Sequence, residues 1–468
     1  MLGSGKHFVM PIPPVGLMYI ASYLEREGHP VEILDAYFHK YDLETTVQEV
    51  LEKRPDILGI SCLTSNGANV YYLIKLLKEK KPALIIILGN VHASYFSSFY
   101  LNHVGADYVV HGEGEETMLA LVRSIAANKK DFSKIPNLSW KKRMSVIDNK
   151  RAVAAQKKID DYPWPARHLI PFKEYVEGVY AETKVRDTDM VFSSRGCVNR
   201  CTFCCIGFQH KYRMRNPVDV VDEIEFLIKE YGIKSFTFGD SLFMANSEHV
   251  TAICHELIDR KINIPWFCEG HAKYADEGLL KLMKRAGCSD VAYGIETGTP
   301  RILKEIRKNT TLEEITWAIK TTRKAGIRVS GLFMIGFPGE SEEEMMQTIR
   351  FALSLPLDRA QFAITVPYPG SPLYDQLIDT GKLTVRDETD PLFVEDWYRY
   401  SAYISYTKED PIWVPTGIKP KRLKHLQKYA LRKFYIRPIQ LFNEIRKVRF
   451  SNIRHIISFI KGAFDTFF

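Results

Sequence analysis

The chain has 468 residues, 46% hydrophobic and 26% charged, which is enough apolar side chain for globular cores in roughly three domains. No apolar run is long enough to span a membrane, and the start, MLGSGKHFVMPIPP, lacks the long apolar core of a signal peptide. The formal charge of +8 is unevenly placed: residues 419–468 hold thirteen Lys or Arg against Glu444 and Asp465, a net +11, leaving the preceding chain near −3.

Residues 1–128 alternate strand-like and helix-like stretches: VEILDAYF (31–38), a helix over 43–53, DILGISCLT (56–64), a helix over 69–80, ALIIILGN (83–90) and ADYVVHGE (106–113). Such alternation predicts a doubly wound, Rossmann-like (flavodoxin-like) α/β domain. Ligands in that architecture sit at the carboxyl ends of the strands, here loops 61–67, 89–92 and 111–115. After a helix over 115–128, residues 129–187 read as a linker. NLSWKKRMSVIDNKRA forms a small hairpin with its turn at Asp148-Asn149, and DDYPWPARHLIPF makes a stiff connector beneath both domains.

Residues 188–380 contain six further strands, MVFSSRG, KSFTFGDS, PWFCEGHA, DVAYGIETG, RVSGLFMIGFPGE and AQFAITVPYPG, separated by helix-length segments. Six β/α units make a partial (β/α)6 TIM barrel, whose active site lies at the carboxyl ends of the strands. Just after the first of them comes FSSRGCVNRCTFCC, with Cys197, Cys201 and Cys204 at C-x3-C-x2-C spacing. Three thiolates on one short loop can hold three irons of a 4Fe-4S cluster, and no fourth ligand stands at ferredoxin spacing. A zinc site would need a second short Cys or His pair, which the sequence does not offer. Cys62, Cys254, Cys268 and Cys288 are scattered without a disulfide pattern, which fits a reducing cytoplasm.

The cysteine loop, with aromatic Phe203 just before its last cysteine, resembles the radical S-adenosylmethionine (SAM) superfamily. That resemblance implies a 4Fe-4S cluster on Cys197, Cys201 and Cys204, SAM chelated at the open iron, and reduction of the sulfonium to a 5'-deoxyadenosyl radical. It places Gly239 and Asp240 at the methionine amino group, Glu296 at the ribose or amino group, and the Phe203 backbone against adenine. Gly336, Pro338 and Gly339 would turn the chain near the adenosyl pocket. His210, Lys211, Tyr212 and Arg213 are candidates for substrate or cobalamin contact, or a solvated basic patch.

PPVGLMYIASYLEREGHPVEILDA, PDILGISC and GADYVVHGEGE, in that order ahead of the cysteine loop, resemble the cobalamin-binding domain that precedes many radical SAM cores. The implied cobalamin contacts are Ser61, Thr64, Ser65, Gly89, Asn90, His92, Gly112 and Glu113. No D-x-H-x-x-G motif is present, so cobalamin would bind base-off without a protein histidine. Relatives begin with a hydrophobic strand before PP-x-G, where this chain has only HFVM at 7–10, a stunted strand or a truncated start.

In the C-terminal region, 381–468, VEDWYRYSAYISYTKED reads as a lid or pocket wall at the barrel mouth. The tail from 419 mixes Leu, Ile and Phe with Lys and Arg at helical spacing and is divided at Pro438. It fits an interfacial amphipathic helix at the inner membrane face or helices packed on the enzyme, ahead of nucleic-acid binding. The whole chain resembles the group containing the C-methyltransferases and the anaerobic magnesium-protoporphyrin ester cyclase. That implies methylation of an unactivated carbon of a small or lipophilic substrate, or radical cyclisation, with a flavodoxin- or ferredoxin-type electron donor. A non-catalytic iron-sulfur redox sensor is the alternative of another class.

Overall fold

The computed structural model describes residues 12–151, 158–177, 188–205 and 211–437. The first layer runs α1 (Val15–Arg26), α2 (Leu43–Glu52), β1 (Ile57–Ser61), α3 (Gly67–Lys80), β2 (Ile85–Gly89), β3 (Tyr108–Val110) and α4 (Glu115–Ala126). The three strands are parallel and adjacent in that order. Successive side chains of β2 feed opposite faces: Ile86 and Leu88 share a core with Ile74 and Leu77 of α3, and Ile87 one with Met118 and Leu121 of α4.

Two expectations need correction here. VEILDAYF forms no strand: residues 31–35 have no ladder partner and 36–40 turn. A strand exists only through its neighbour's hydrogen bonds, and this segment packs through its side chains instead. Phe38 stacks on Tyr175 at 4.0 Å, and the Tyr175 hydroxyl donates to Asp35 at 2.5 Å. HFVM lies outside the described residues. The linker hairpin, β4 (Leu138–Lys142) and β5 (Ser145–Asp148), turns at Arg143-Met144, with Arg143 at φ +58°. Asn149 is a buried strut whose Nδ2 donates to the carbonyls of Phe132 and Ile135, each at 2.7 Å. Because β4 pairs antiparallel with β3, the hairpin extends the first sheet to five strands.

The second layer alternates β6 (Thr188–Val191), α5 (Pro217–Tyr231), β7 (Ser235–Phe238), α6 (Ser247–Asp259), β8 (Trp266–Gly270), α7 (Glu277–Arg285), β9 (Cys288–Glu296), α8 (Leu312–Lys324), β10 (Arg328–Ile335), α9 (Glu342–Ser354) and β11 (Arg359–Ile364). Its six strands are all parallel and lie in sequence order, β6 at one edge and β11 at the other. This is the expected partial barrel. Phe236, Phe238, Trp266, Val291, Tyr293, Val329, Phe333 and Phe362 belong to its core. The linker helps join the layers: the Ala166 amide donates to the Met18 carbonyl of α1 at 3.1 Å, and buried Arg167 pairs with Asp189 of β6 at 2.7 Å.

The aromatic segment after residue 390 does not act as a simple lid. Phe393 and Trp397 are buried in the first layer's core, Trp397 edge-on to His92 at 4.3 Å, while Glu395 and Tyr398 border the central cavity. The tail's first helix, α10 (Pro420–Tyr435), buries Leu423, Leu426, Ala430 and Phe434 in the barrel's cores. Its apolar stripe is therefore used for packing and unavailable to a bilayer, while Lys421, Arg422, Lys428 and Lys433 stay exposed. Residues 438–468 and the division at Pro438 lie outside the described residues. Among the described residues no helix is long and apolar enough to cross a membrane.

Candidate active site

The cysteine loop leaves the carboxyl end of β6. Ser194–Arg195 pairs antiparallel with Arg213–Met214, so a short ribbon brackets the loop. Two backbone bonds pin its middle: the Thr202 amide donates to Ile306 at 3.0 Å, and Leu373 donates to the Thr202 carbonyl at 2.8 Å. Cys197, Cys201 and Cys204 are not in disulfides and are partly exposed. Cys205 points elsewhere, its thiol 3.9 Å from the Tyr368 carbonyl. Among the described residues no three His, Cys, Asp or Glu side chains converge on a single ion. Three cysteines spread along a loop suit a polynuclear cluster, in which each thiolate holds its own iron. Burial pushes the Cys201 thiol up to about 11 while Lys308 pulls the other way, and ligation needs the thiolate.

Lys308 and Glu296 form a buried pair, Nζ to Oε1 2.7 Å, with side chains 9% and 10% exposed. Burial opposes the charge on Lys308, yet Glu296 and Cys201 outweigh it and the pKa is raised. Glu296 ends β9 at a bulge and sits at φ +66°, a left-handed conformation costing a non-glycine residue on the order of 1–2 kcal/mol. Glu269 of β8 is close enough to feel this charge: burial, then Glu296, raises its pKa.

Asp240 is 2% exposed and braces the start of the cysteine loop. Its Oδ1 accepts from the hydroxyls of Ser193, at 2.9 Å, and Ser194, and its Oδ2 from the Ser193 amide at 3.1 Å. Gly239 is closely packed: a Cβ there would meet Met190 at 2.6 Å and Phe192 at 2.7 Å, so those side chains would have to shift. Phe203 lies 6.0 Å, ring to ring, from Phe337. Phe337 belongs to the IGFPGE turn, where Gly336 and Gly339 hold φ +90° and +71° around Pro338.

That turn is held by buried Glu340, whose Oε2 accepts from the amides of Gly336 at 2.6 Å and Phe337 at 2.9 Å, while Oε1 has no partner. Burial raises its pKa from 4.5 to about 7 despite those bonds. The folded state thus holds the proton more tightly than the unfolded chain. Stability from this group is full below pH 4.5 and falls as pH rises to about 7, by on the order of 3 kcal/mol. Glu340→Gln keeps an acceptor for both amides, so we expect thermal unfolding scanned from pH 5 to 8 to show a flatter Tm profile than wild type.

Five of the expected cobalamin contacts, Ser61, Gly89, Asn90, Gly112 and Glu113, line one cavity of 2890 Å³, together with Phe192, Ser194, Arg195, Gly196 and Ser241 of the second layer. The strand-end shelf and the start of the cysteine loop therefore open into the same space. Pockets for drug-sized ligands measure about 300–1,000 Å³, so there is room here for a large cofactor. Thr64, Ser65 and His92 do not border it. His92 is fully buried, Nδ1 3.2 Å from Thr64 Oγ1, and burial pushes its pKa down to about 3. His111 Nε2 bonds Ser139 Oγ at 2.5 Å. Both histidines are thus engaged or enclosed.

Of the basic residues after the loop, Lys211 is exposed, Arg213 pairs with Glu113, and His210 lies outside the described residues. Sequence reasoning missed Lys308, Ser193, Ser194, Arg195 and Glu340. Arg195 and Glu340 stand inside motifs that were already conspicuous, FSSRGC and IGFPGE.

A cysteine loop at the mouth of a partial barrel, whose launching residues border the same cavity as a strand-end shelf, defines an iron-sulfur enzyme with a second cofactor domain. Residues 191–352 match the Radical SAM superfamily and residues 5–122 the B12 binding domain. The chain is 31% identical to an uncharacterized methyltransferase of Pyrococcus horikoshii, over 92% of this chain and 90% of that protein. It is 28% identical to the anaerobic magnesium-protoporphyrin IX monomethyl ester cyclase of Rubrivivax gelatinosus, over 78% of this chain and 66% of that enzyme. The fold matches that of TsrM, a radical SAM methyltransferase of Kitasatospora setae with cobalamin and a 4Fe-4S cluster bound, at a TM-score of 0.67 and 20% identity, covering 81% of this chain and 77% of that one. This chain belongs to the cobalamin-binding radical SAM enzymes. Its cofactors are a 4Fe-4S cluster, SAM and cobalamin, and membership of an enzyme family answers the sensor reading.

Proposed function

We propose that this enzyme transfers a methyl group to an unactivated carbon of a small or lipophilic substrate, drawing electrons from a flavodoxin- or ferredoxin-type donor. The observation that carries this reading is the shared cavity: Ser61, Gly89 and Gly112 on one side and Phe192, Ser194 and Gly196 on the other border the same space. A methyl carrier on the shelf and a radical source at the loop need such a common chamber, because both must reach one carbon. When bound, the cluster and SAM supply radical chemistry and cobalamin supplies the methyl group.

The chain's own residues set the geometry. Cys197, Cys201 and Cys204 hold the cluster. Asp240 fixes Ser193 and Ser194, and through them the start of the loop. Glu296, paired with Lys308, offers a carboxylate for SAM hydroxyl or amino groups, and the turn at Gly336 carries Phe337 toward Phe203. Such preorganisation is what alignment of a C–H bond requires.

The test is anaerobic. Protein reconstituted with cluster and cobalamin is given reductant and methyl-labelled SAM, then assayed for methylcobalamin and 5'-deoxyadenosine. Both products are expected. Deoxyadenosine without methylcobalamin would overturn methyl transfer in favour of cyclase-like chemistry.

A further inference from the structure

Arg195, two residues before the first cluster cysteine, is the meeting point of three separate segments. Its Nη1 lies 3.1 Å from Glu113 Oε2, on the shelf loop after β3, and its Nη2 2.8 Å from Glu115 Oε1, at the start of α4. The guanidinium lies over Tyr19 of α1 at 4.7 Å and near Tyr162 of the linker at 5.4 Å. Arg213, Arg195's partner in the ribbon, pairs with the other oxygen of Glu113. The side chains of Arg195, Glu113 and Glu115 are 13%, 15% and 5% exposed, so little solvent screens them. Both glutamates and Arg195 also border the shared cavity.

We propose that Arg195 is a positioning residue that sets the spacing between the cobalamin shelf and the cluster loop, with Glu113 and Glu115 as its anchors on the shelf. Two features argue for spacing over simple adhesion. The planar fork engages two different carboxylates at once, which fixes direction as well as distance, and a lysine cannot reproduce that. In addition, the contact falls on the two loops that carry the cofactors, since Glu113 neighbours Gly112 of the shelf and Arg195 neighbours Gly196 of the cysteine loop. A shift of one ångström there is a shift between reacting centres, and misplacement on that scale can cost about a hundredfold in rate.

The test uses full-length holoprotein, with Arg195→Lys, Arg195→Gln and Glu115→Gln compared with wild type. With cobalamin as cob(II)alamin and the cluster reduced by one electron, both centres are paramagnetic, and their spin–spin coupling falls with the cube of the distance. We expect wild type to show a single well-defined coupling, and all three variants a weaker, broadened one at unchanged iron and cobalamin content. A second readout, deoxyadenosine formed per methylated product, should rise at least tenfold.

This inference rests on the methyl-transfer reading only for that second readout. The coupling needs both cofactors bound but no turnover, so failure of methylation leaves it intact as a test. Should Arg195→Gln fail to assemble a cluster, Glu115→Gln decides, because it breaks the same contact from the shelf side without touching the cysteine loop. Wild-type coupling in Glu115→Gln together with Arg195→Lys would overturn the proposal.

Discussion

Lys308→Met is expected to destabilise the barrel by about 3–5 kcal/mol and to weaken SAM binding at least tenfold, about 1.4 kcal/mol. The substitution nearly preserves volume, so the effect is electrostatic. It leaves the Glu296 carboxylate buried without its cation, beside Glu269, whose pKa is already raised by burial and by Glu296 itself. Glu296 would then lose the cation that orients its carboxylate for the proposed SAM contact. The strained φ of +66° at Glu296 would also lose the contact that holds it. Lys308→Met/Glu296→Gln separates the two effects. A buried pair replaced by neutral groups is often close to neutral in stability, so denaturant unfolding should recover most of the loss, whereas SAM binding by equilibrium dialysis should stay weak. Wild-type unfolding of the single variant would show that the pair is not a buried charge couple.

The barrel was legible because each of its strands writes its own signature, an apolar run ended by Gly, Pro or an acid, and because six such runs in a row leave few alternatives. The C-x3-C-x2-C spacing of Cys197, Cys201 and Cys204 was legible for the same reason: its chemistry is contained in one loop. What sequence reading missed depends on distant partners. VEILDAYF has strand composition but no strand beside it. The hairpin turn falls where Arg143 takes the positive φ, while Asn149, the better turn former, is used as a strut. Asp240 has strand-end acid chemistry, but its job is set by Ser193 and Ser194, 47 and 46 residues earlier. Lys308, in the ordinary run IRKNTT, becomes a site residue only because the bulge in β9 brings Glu296 to it. In α10 the apolar stripe reads the same whether it meets lipid or protein, and only the fold shows it meeting β11.

Glu223→Gln carries the second large expectation, a loss of about 3–5 kcal/mol and poorer iron incorporation. Glu223 on α5 is fully buried between two arginines, Oε1 2.8 Å from Arg167 and Oε2 2.6 Å from Arg215. Neutralising it leaves Arg167 with Asp189, and Arg215 with a partly exposed Asp219. Burial alone would raise the Glu223 pKa, but Arg215 and Arg167 outweigh it and hold it below 4.5. Its contribution is therefore present above pH 4.5 and lost as pH falls through the lower folded value, so wild type and variant should converge in acid and differ most at neutral pH. The consequence reaches the cluster because Arg215 donates from Nη1 to the Phe192 carbonyl at 2.8 Å and from its amide to Ser193 at 2.9 Å, the residues that launch the cysteine loop. Loosening Arg215 loosens that launch point. Iron per protein after anaerobic reconstitution, measured beside Tm at pH 7, should fall with stability in Glu223→Gln and hold in Glu225→Gln, a control on the exposed face of the same helix. Full iron content in a destabilised Glu223→Gln would separate the charge network from the loop and confine its role to the fold.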